Sequence, residues 1–123
     1  MAVMTTRDTR TFIAGEDLSS AQFKFVTLEA DGQVDLADAA GENCIGVVLN
    51  DPAAAEAATV AISGKVMVAA GGTVTAGDAV ATDASGAAVT ATTGNIIMGY
   101  ATEDGVSGQL IAIELIQGAN AAA

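Results

Sequence analysis

Hydrophobic and polar positions alternate with period two along most of the chain. Residues 22–28 run polar-Phe-Lys-Phe-Val-Thr-Leu, which places Phe23 and Phe25 on one face of a strand. Thr-Val-Ala-Ile-Ser at 59–63, Lys-Val-Met-Val at 65–68 and Gln-Leu-Ile-Ala-Ile-Glu-Leu at 109–115 read the same way. Each run is short, rich in β-branched residues and bounded by turn formers. Residues 43–49 and 95–102 are more continuously apolar, so both faces of those strands are expected to be covered. Asp31-Gly32, Gly71-Gly72, Gly77-Asp78, Ser85-Gly86 and Asp104-Gly105 mark turns. Only Asp51-Pro52-Ala-Ala-Ala-Glu56-Ala carries a helix start signal, and it is short enough to be a loop. The pattern predicts an all-β fold: a compact small β-barrel or sandwich, with a β-tulip-like form also compatible.

The pattern partly repeats. Phe25-Val26-Thr27, Asp31-Gly32, Ala37, Gly41 and Ile45-Gly46-Val47 are echoed by Ala79-Val80-Ala81, Ser85-Gly86, Ala91, Gly94 and Met98-Gly99-Tyr100. The offset is about 50 residues, the length of one β-unit. The chain is therefore expected to hold two similar units, roughly 18–70 and 74–117, within a single β domain over 18–117. Residues 1–17 form an extended N-terminal arm or a frayed terminus, and residues 118–123 a frayed tail.

Composition narrows the function. The 123 residues include no His, one Cys and 28 Ala. Without His the usual neutral-pH base and the commonest zinc ligand are missing. A single Cys excludes an internal disulfide, and Cys44, in an apolar strand, reads as a buried inert thiol. The net charge is −11, which argues against a nucleic-acid partner. No run approaches a membrane span and the N-terminus lacks the apolar stretch of a signal peptide. No membrane partner and a cytoplasm-like place of synthesis are expected. The charge is uneven: Arg7, Arg10 and Lys24 balance Asp8, Glu16 and Asp17, so Lys65 against the remaining 12 acids accounts for the whole −11.

Candidate chemistry is thin. Asp31, Asp35 and Asp38 fail the order of a calcium-binding loop. Glu16-Asp17 and Glu103-Asp104 read as solvated caps, and no Ser has a His partner. Gly64-Lys65-Val66-Met67 resembles a biotinyl or lipoyl carrier hairpin, but Lys65 leads into an apolar strand instead of sitting at a tight tip. No catalytic residue, metal or cofactor is expected, and such a chain works through surfaces.

Thr11-Phe12-Ile13-Ala14-Gly15-Glu16-Asp17-Leu18-Ser19 resembles the start of small tailed-phage capsid decoration, or cement, proteins. The likeness continues through Phe23-Lys24-Phe25-Val26-Thr27-Leu28, Ile45-Gly46-Val47-Val48-Leu49-Asn50-Asp51-Pro52, Val74-Thr-Ala-Gly77-Asp78, Gly99-Tyr100-Ala101 and Gly108-Gln-Leu-Ile-Ala-Ile-Glu-Leu115. It departs at Ala55, where that pattern has Gly. The resemblance covers about residues 9–117. It implies a non-enzymatic virion protein, made in the host cytoplasm, that binds the outer surface of the expanded head. There it would sit at junctions between major capsid subunits, often as a homotrimer, and hold the shell against packaged DNA.

On this reading Thr5, Thr6, Arg7, Asp8, Thr9, Arg10, Thr11, Phe12 and Ile13 form the capsid-binding arm. Phe23, Phe25 and Tyr100 are candidates for a subunit interface or for the core. The competing reading is a β-sandwich adhesin or receptor-binding module, which aromatics at 3% disfavour.

Overall fold

A computed structural model describes residues 5–116, with side chains from Asp8 onward. The tail 118–123, residues 1–4 and the side chains of Thr5, Thr6 and Arg7 lie outside the described residues. Nine strands follow one another: β1 (Thr5–Ile13), β2 (Phe25–Leu28), β3 (Val34–Leu36), β4 (Gly46–Val48), β5 (Ala57–Ala69), β6 (Ala79–Thr82), β7 (Ala88–Thr90), β8 (Gly99–Ala101) and β9 (Leu110–Leu115). They form one sheet in the order β3-β2-β4-β5-β9-β8-β6-β7, with β1 added on β5. Every ladder is antiparallel. Parallel bridges Ala14–Val34 and Ala70–Ala88 curl each half of the sheet back on itself. The fold is all-β, as the alternation predicts.

The strand order is a palindrome of two halves, and backbone bonds recur from one half to the other. Glu29 N donates to Gln33 O, as Asp83 N does to Ala87 O; Ile45 N donates to Val26 O, as Met98 N does to Val80 O. Ala37 N to Phe25 O is matched by Ala91 N to Ala79 O. The turns obey the same chemistry: Gly32 (φ 82) and Gly86 (φ 81) occupy left-handed backbone that favours glycine. Each turn is also closed by a carboxylate, though at different positions: Asp31 accepts the Gln33 amide and Asp83 the Ser85 amide. The two halves thus sit 53–54 residues apart through most of their length.

The correspondence reaches further back than residue 18. Ala14 N to Glu56 O is matched by Ala70 N to Gln109 O, and Gly15 N to Val34 O by Gly71 N to Ala88 O. In the first half β1 therefore stands where the C-terminal part of β5 stands in the second. Counted by these bonds the halves run 5–63 and 64–116, with β1 inside the first, where the alternation had set 1–17 apart. The long strand β5 is shared, and Gly64 (φ 97) lies where it passes between halves.

The core is in two parts. Leu18, Val26, Val34, Val48, Ala58 and Val60 fill the first half. The larger cluster includes Val66, Val68, Val80, Met98, Ile111, Ile113 and Leu115, and it also takes Phe25 and Val47 from the first half. Phe25 and Val47 face each other across β2 and β4, while Val26 and Val48 point the other way. β4 is covered on both faces, as the apolar run at 43–49 predicts. The run at 95–102 behaves differently: Tyr100 in β8 is exposed.

The Asp51–Ala57 segment is a turn, with no helix. Pro52 O accepts the Leu18 amide, Glu56 Oε1 accepts the Ala53 amide, and Ala55 takes a φ of 70. The start signals are real but serve a loop closed by Glu56. Ala55 matches Gly108 (φ 90) of the second half: their amides donate to Ala14 O and Ala70 O. A left-handed alanine is strained by about 1–2 kcal/mol, partly offset because glycine loosens the unfolded chain. Ala55→Gly is expected to raise stability by about 0.5–1 kcal/mol, read as a higher urea midpoint at unchanged slope.

Candidate interaction surface

The first candidate surface is β1. Its sequence, Thr-Thr-Arg-Asp-Thr-Arg-Thr-Phe-Ile, has little apolar alternation. It is held as a strand by its ladder to β5, from Thr5 opposite Lys65 to Ile13 opposite Ala57. The register slips on both sides of Asp8, a bulge that takes Arg7 out of the pairing. Phe12 packs against the core of the first half, opposite buried Ala58. Thr9, Arg10, Thr11 and Ile13 are exposed. Among the described residues no strand other than β5 forms a ladder with β1, so its outer edge is open to pairing.

Arg10 is engaged within the strand. Its Nη1 donates to Asp8 Oδ1 and, at 3.1 Å, to Thr9 O. The pair is solvent-exposed and adds little stability. Its effect is on charge: Arg10 is matched by Asp8 on the same strand.

The three aromatic candidates separate. Phe25 is fully buried inside the chain, which puts it in the core, one of its two candidate places. Phe23 is half-buried and does not share a strand face with Phe25. It precedes β2 in left-handed backbone (φ 64), where its amide donates to Val48 O and its carbonyl accepts from Ala69 N. Its equivalent is Gly77 (φ 92), whose amide donates to Ala101 O. Tyr100 is 46% exposed. Ala79, Glu114 and Lys65 lie in its register row across β6, β9 and β5.

The positions examined for chemistry are dispersed. Lys65 lies within β5 and not at a hairpin tip. Cys44 is buried, and that burial, helped by Glu42, pushes its thiol up to about 12; such a thiol is inert at neutral pH. Among the described residues no group of three His, Cys, Asp or Glu is placed to hold a metal ion. Asp31 caps its turn, and Asp35 is the unusual acid of this region. Its Oδ1 is buried with no hydrogen bond. Burial, then the negative charges of Glu16, Glu29, Asp31 and Asp38, raise its carboxyl above the ordinary carboxylate value.

Ionised Asp35 therefore opposes folding. Its contribution is most favourable below the ordinary carboxylate range and is lost as pH rises through its raised value. Asp35→Asn is expected to raise the thermal midpoint at pH 7, and the gain should vanish near about pH 3, where both chains are neutral at this site.

The profile of the phage cement protein family matches residues 5–115. No curated protein matches the chain. Among solved structures, the N base of the head fiber gp8.5 of bacteriophage phi29 superposes with a TM-score of 0.71. It is 20% identical and the match covers 92% of this chain and 97% of that one, a likeness of fold. The family match spans all nine strands, from the first residue of β1 to the last of β9, and on that ground this chain belongs to the phage cement protein family.

Proposed function

We propose that this chain binds the outer surface of the expanded phage head, at junctions between major capsid subunits, and stabilises the shell against internal DNA pressure. Family membership supports the setting. The observation that carries the reading is the open outer edge of β1, flanked by the exposed Thr9, Thr11 and Ile13. An exposed strand edge accepts a further strand through backbone hydrogen bonds, with side chains giving the selectivity. Residues 5–13 thus form the capsid contact while remaining paired to β5.

The acidic body suits an external position. A net charge of −11 keeps free subunits apart in solution and away from DNA. The chain would be made in the host cytoplasm and carried on the virion surface. It acts as a homotrimer, so each copy needs only a modest interface of about 800 Å² per partner, multiplied by avidity.

Co-sedimentation with expanded, undecorated heads and with unexpanded proheads tests this. Saturable binding to expanded heads alone is expected. Thr9→Pro and Thr11→Pro, placed on the edge strand, should each weaken binding at least about 10-fold if the chain remains folded. Binding to neither particle would overturn the reading.

A further inference from the structure

The two halves of the chain meet through unlike faces. The first half offers Phe25, Val47 and Gly41; the second offers Thr82, Gly86 and Ile96. Phe25 N donates to Gly86 O at 2.8 Å, Gly41 N to Thr82 O at 2.9 Å and Ile96 N to Gly41 O at 2.9 Å. A Cβ on Gly86 would fall 2.7 Å from Leu36 Cδ1 and 3.1 Å from Phe25 O, and one on Gly41 would collide with the side chain of Asn95. Both glycines are thus covered by the opposite half.

Their repeat equivalents are open. Gly32 matches Gly86 and Gly94 matches Gly41, and a Cβ on either would meet nothing within 4 Å. Larger positions follow the same rule. Thr82 and Val47 are fully buried, while their equivalents Leu28 and Tyr100 are 48% and 46% exposed. Beside Leu28 lies a pocket of roughly 260 Å³, lined also by Asn43, Cys44 and Ile45. A contact symmetric between the halves would have covered both members of each pair. This one is head-to-tail, and it leaves one copy of each face unused: Tyr100 and Gly94 on the second half, Leu28 and Gly32 on the first.

We propose that the unused faces are joined by a second copy of this chain, its Leu28 face seated on the Tyr100 face as the second half seats on the first within one chain. The occupant follows from the repeat: among the described residues, the surface that matches the Tyr100 face is the Leu28 face, the counterpart of the one that packs on Phe25 and Gly41. Two large exposed apolar side chains stand at positions that are buried in the internal contact, where burial of apolar area drives association. Head-to-tail contacts close into rings or run on as filaments, and three two-unit chains would make a ring of six β-units. The inference rests on the self-association proposed above, but not on shell binding.

Light scattering on purified chains tests it. Tyr100→Glu and Leu28→Glu each place a charge at an exposed position, so both should keep the β-sheet circular dichroism spectrum. If Leu28→Glu does not, Leu28→Ser replaces it. Each is expected to weaken association at least about 30-fold, as central interface positions do, leaving monomers. Mixed together, the two variants retain one intact junction and should form a species of two chains. An oligomer that persists in either variant, or a mixture that stays monomeric, would overturn these faces. A monomeric parent chain at every concentration would overturn self-association as a whole. Shell co-sedimentation is scored separately and bears only on capsid binding.

Discussion

Removal of residues 1–13 is expected to unfold the first half of the chain, not merely to detach an arm. Eight residues of β1 have register partners on β5, and Phe12 packs on the cluster formed by Leu18, Val26, Val34, Val48, Ala58 and Val60. The deletion removes that ring, strips one edge of β5 and cuts the chain just before Ala14, whose bonds to Glu56 and Ala55 hold the 51–57 turn. Loss of an aromatic core contact and several ladder bonds amounts to about 4 kcal/mol or more, a large share of a small domain's stability. Urea unfolding followed by circular dichroism should show a midpoint lowered by more than about 1.5 M. An unchanged midpoint would mean that β1 is a dispensable arm. If the midpoint falls, loss of shell binding by the deletion says nothing about contact, and the single-residue proline variants are the informative ones.

How the sequence and the structure relate is clearest at β1. The fold class was legible because buried strands advertise themselves: β2, β4, β5 and β9 carry β-branched residues at alternating or continuous apolar positions. The likeness of two turns was legible, because Asp31-Gly32 and Ser85-Gly86 need the same left-handed backbone. The strand at 5–13 was not, because an edge strand with an outward polar face is held by its ladder and leaves no apolar signature. Equivalence of β1 with the end of β5 appears only in the bonds of Ala14 and Ala70. The proline at 52 and Asp51 look alike at a helix start and at a turn, and only the left-handed Ala55 decides. Which of its two candidate places Tyr100 takes was not legible, for a different reason. An apolar run reports what is to be covered but not by which chain, and Val47 and Tyr100 hold the same position in the two halves with opposite exposure. Interaction surfaces of this kind carry no motif; they become visible as differences between equivalent residues.

Phe25→Ala is expected to have the largest effect of any single substitution. The side chain is fully buried and is the largest in the core. It lies opposite Val47 on β4 but belongs to the cluster built mainly by the second half. Truncation of a buried Phe typically loses about 3–5 kcal/mol, because the surrounding strands relax only partly into the cavity. Here the cavity opens at the junction of two units, next to the bond from Phe25 N to Gly86 O. Leu18→Ala, which empties only the first cluster, is the comparison: its loss falls in the range of about 2–5 kcal/mol, but it leaves the junction intact. In urea, Leu18→Ala should lower the midpoint and keep one transition. Phe25→Ala should lower it further and split the curve, because each half keeps its own strands while losing the contact that couples them. A single sharp transition for Phe25→Ala would mean that the shared strand β5 couples the halves without the Phe25 contact. The head-to-tail junction between chains would then draw its strength from strand pairing instead of from the faces of Tyr100 and Leu28.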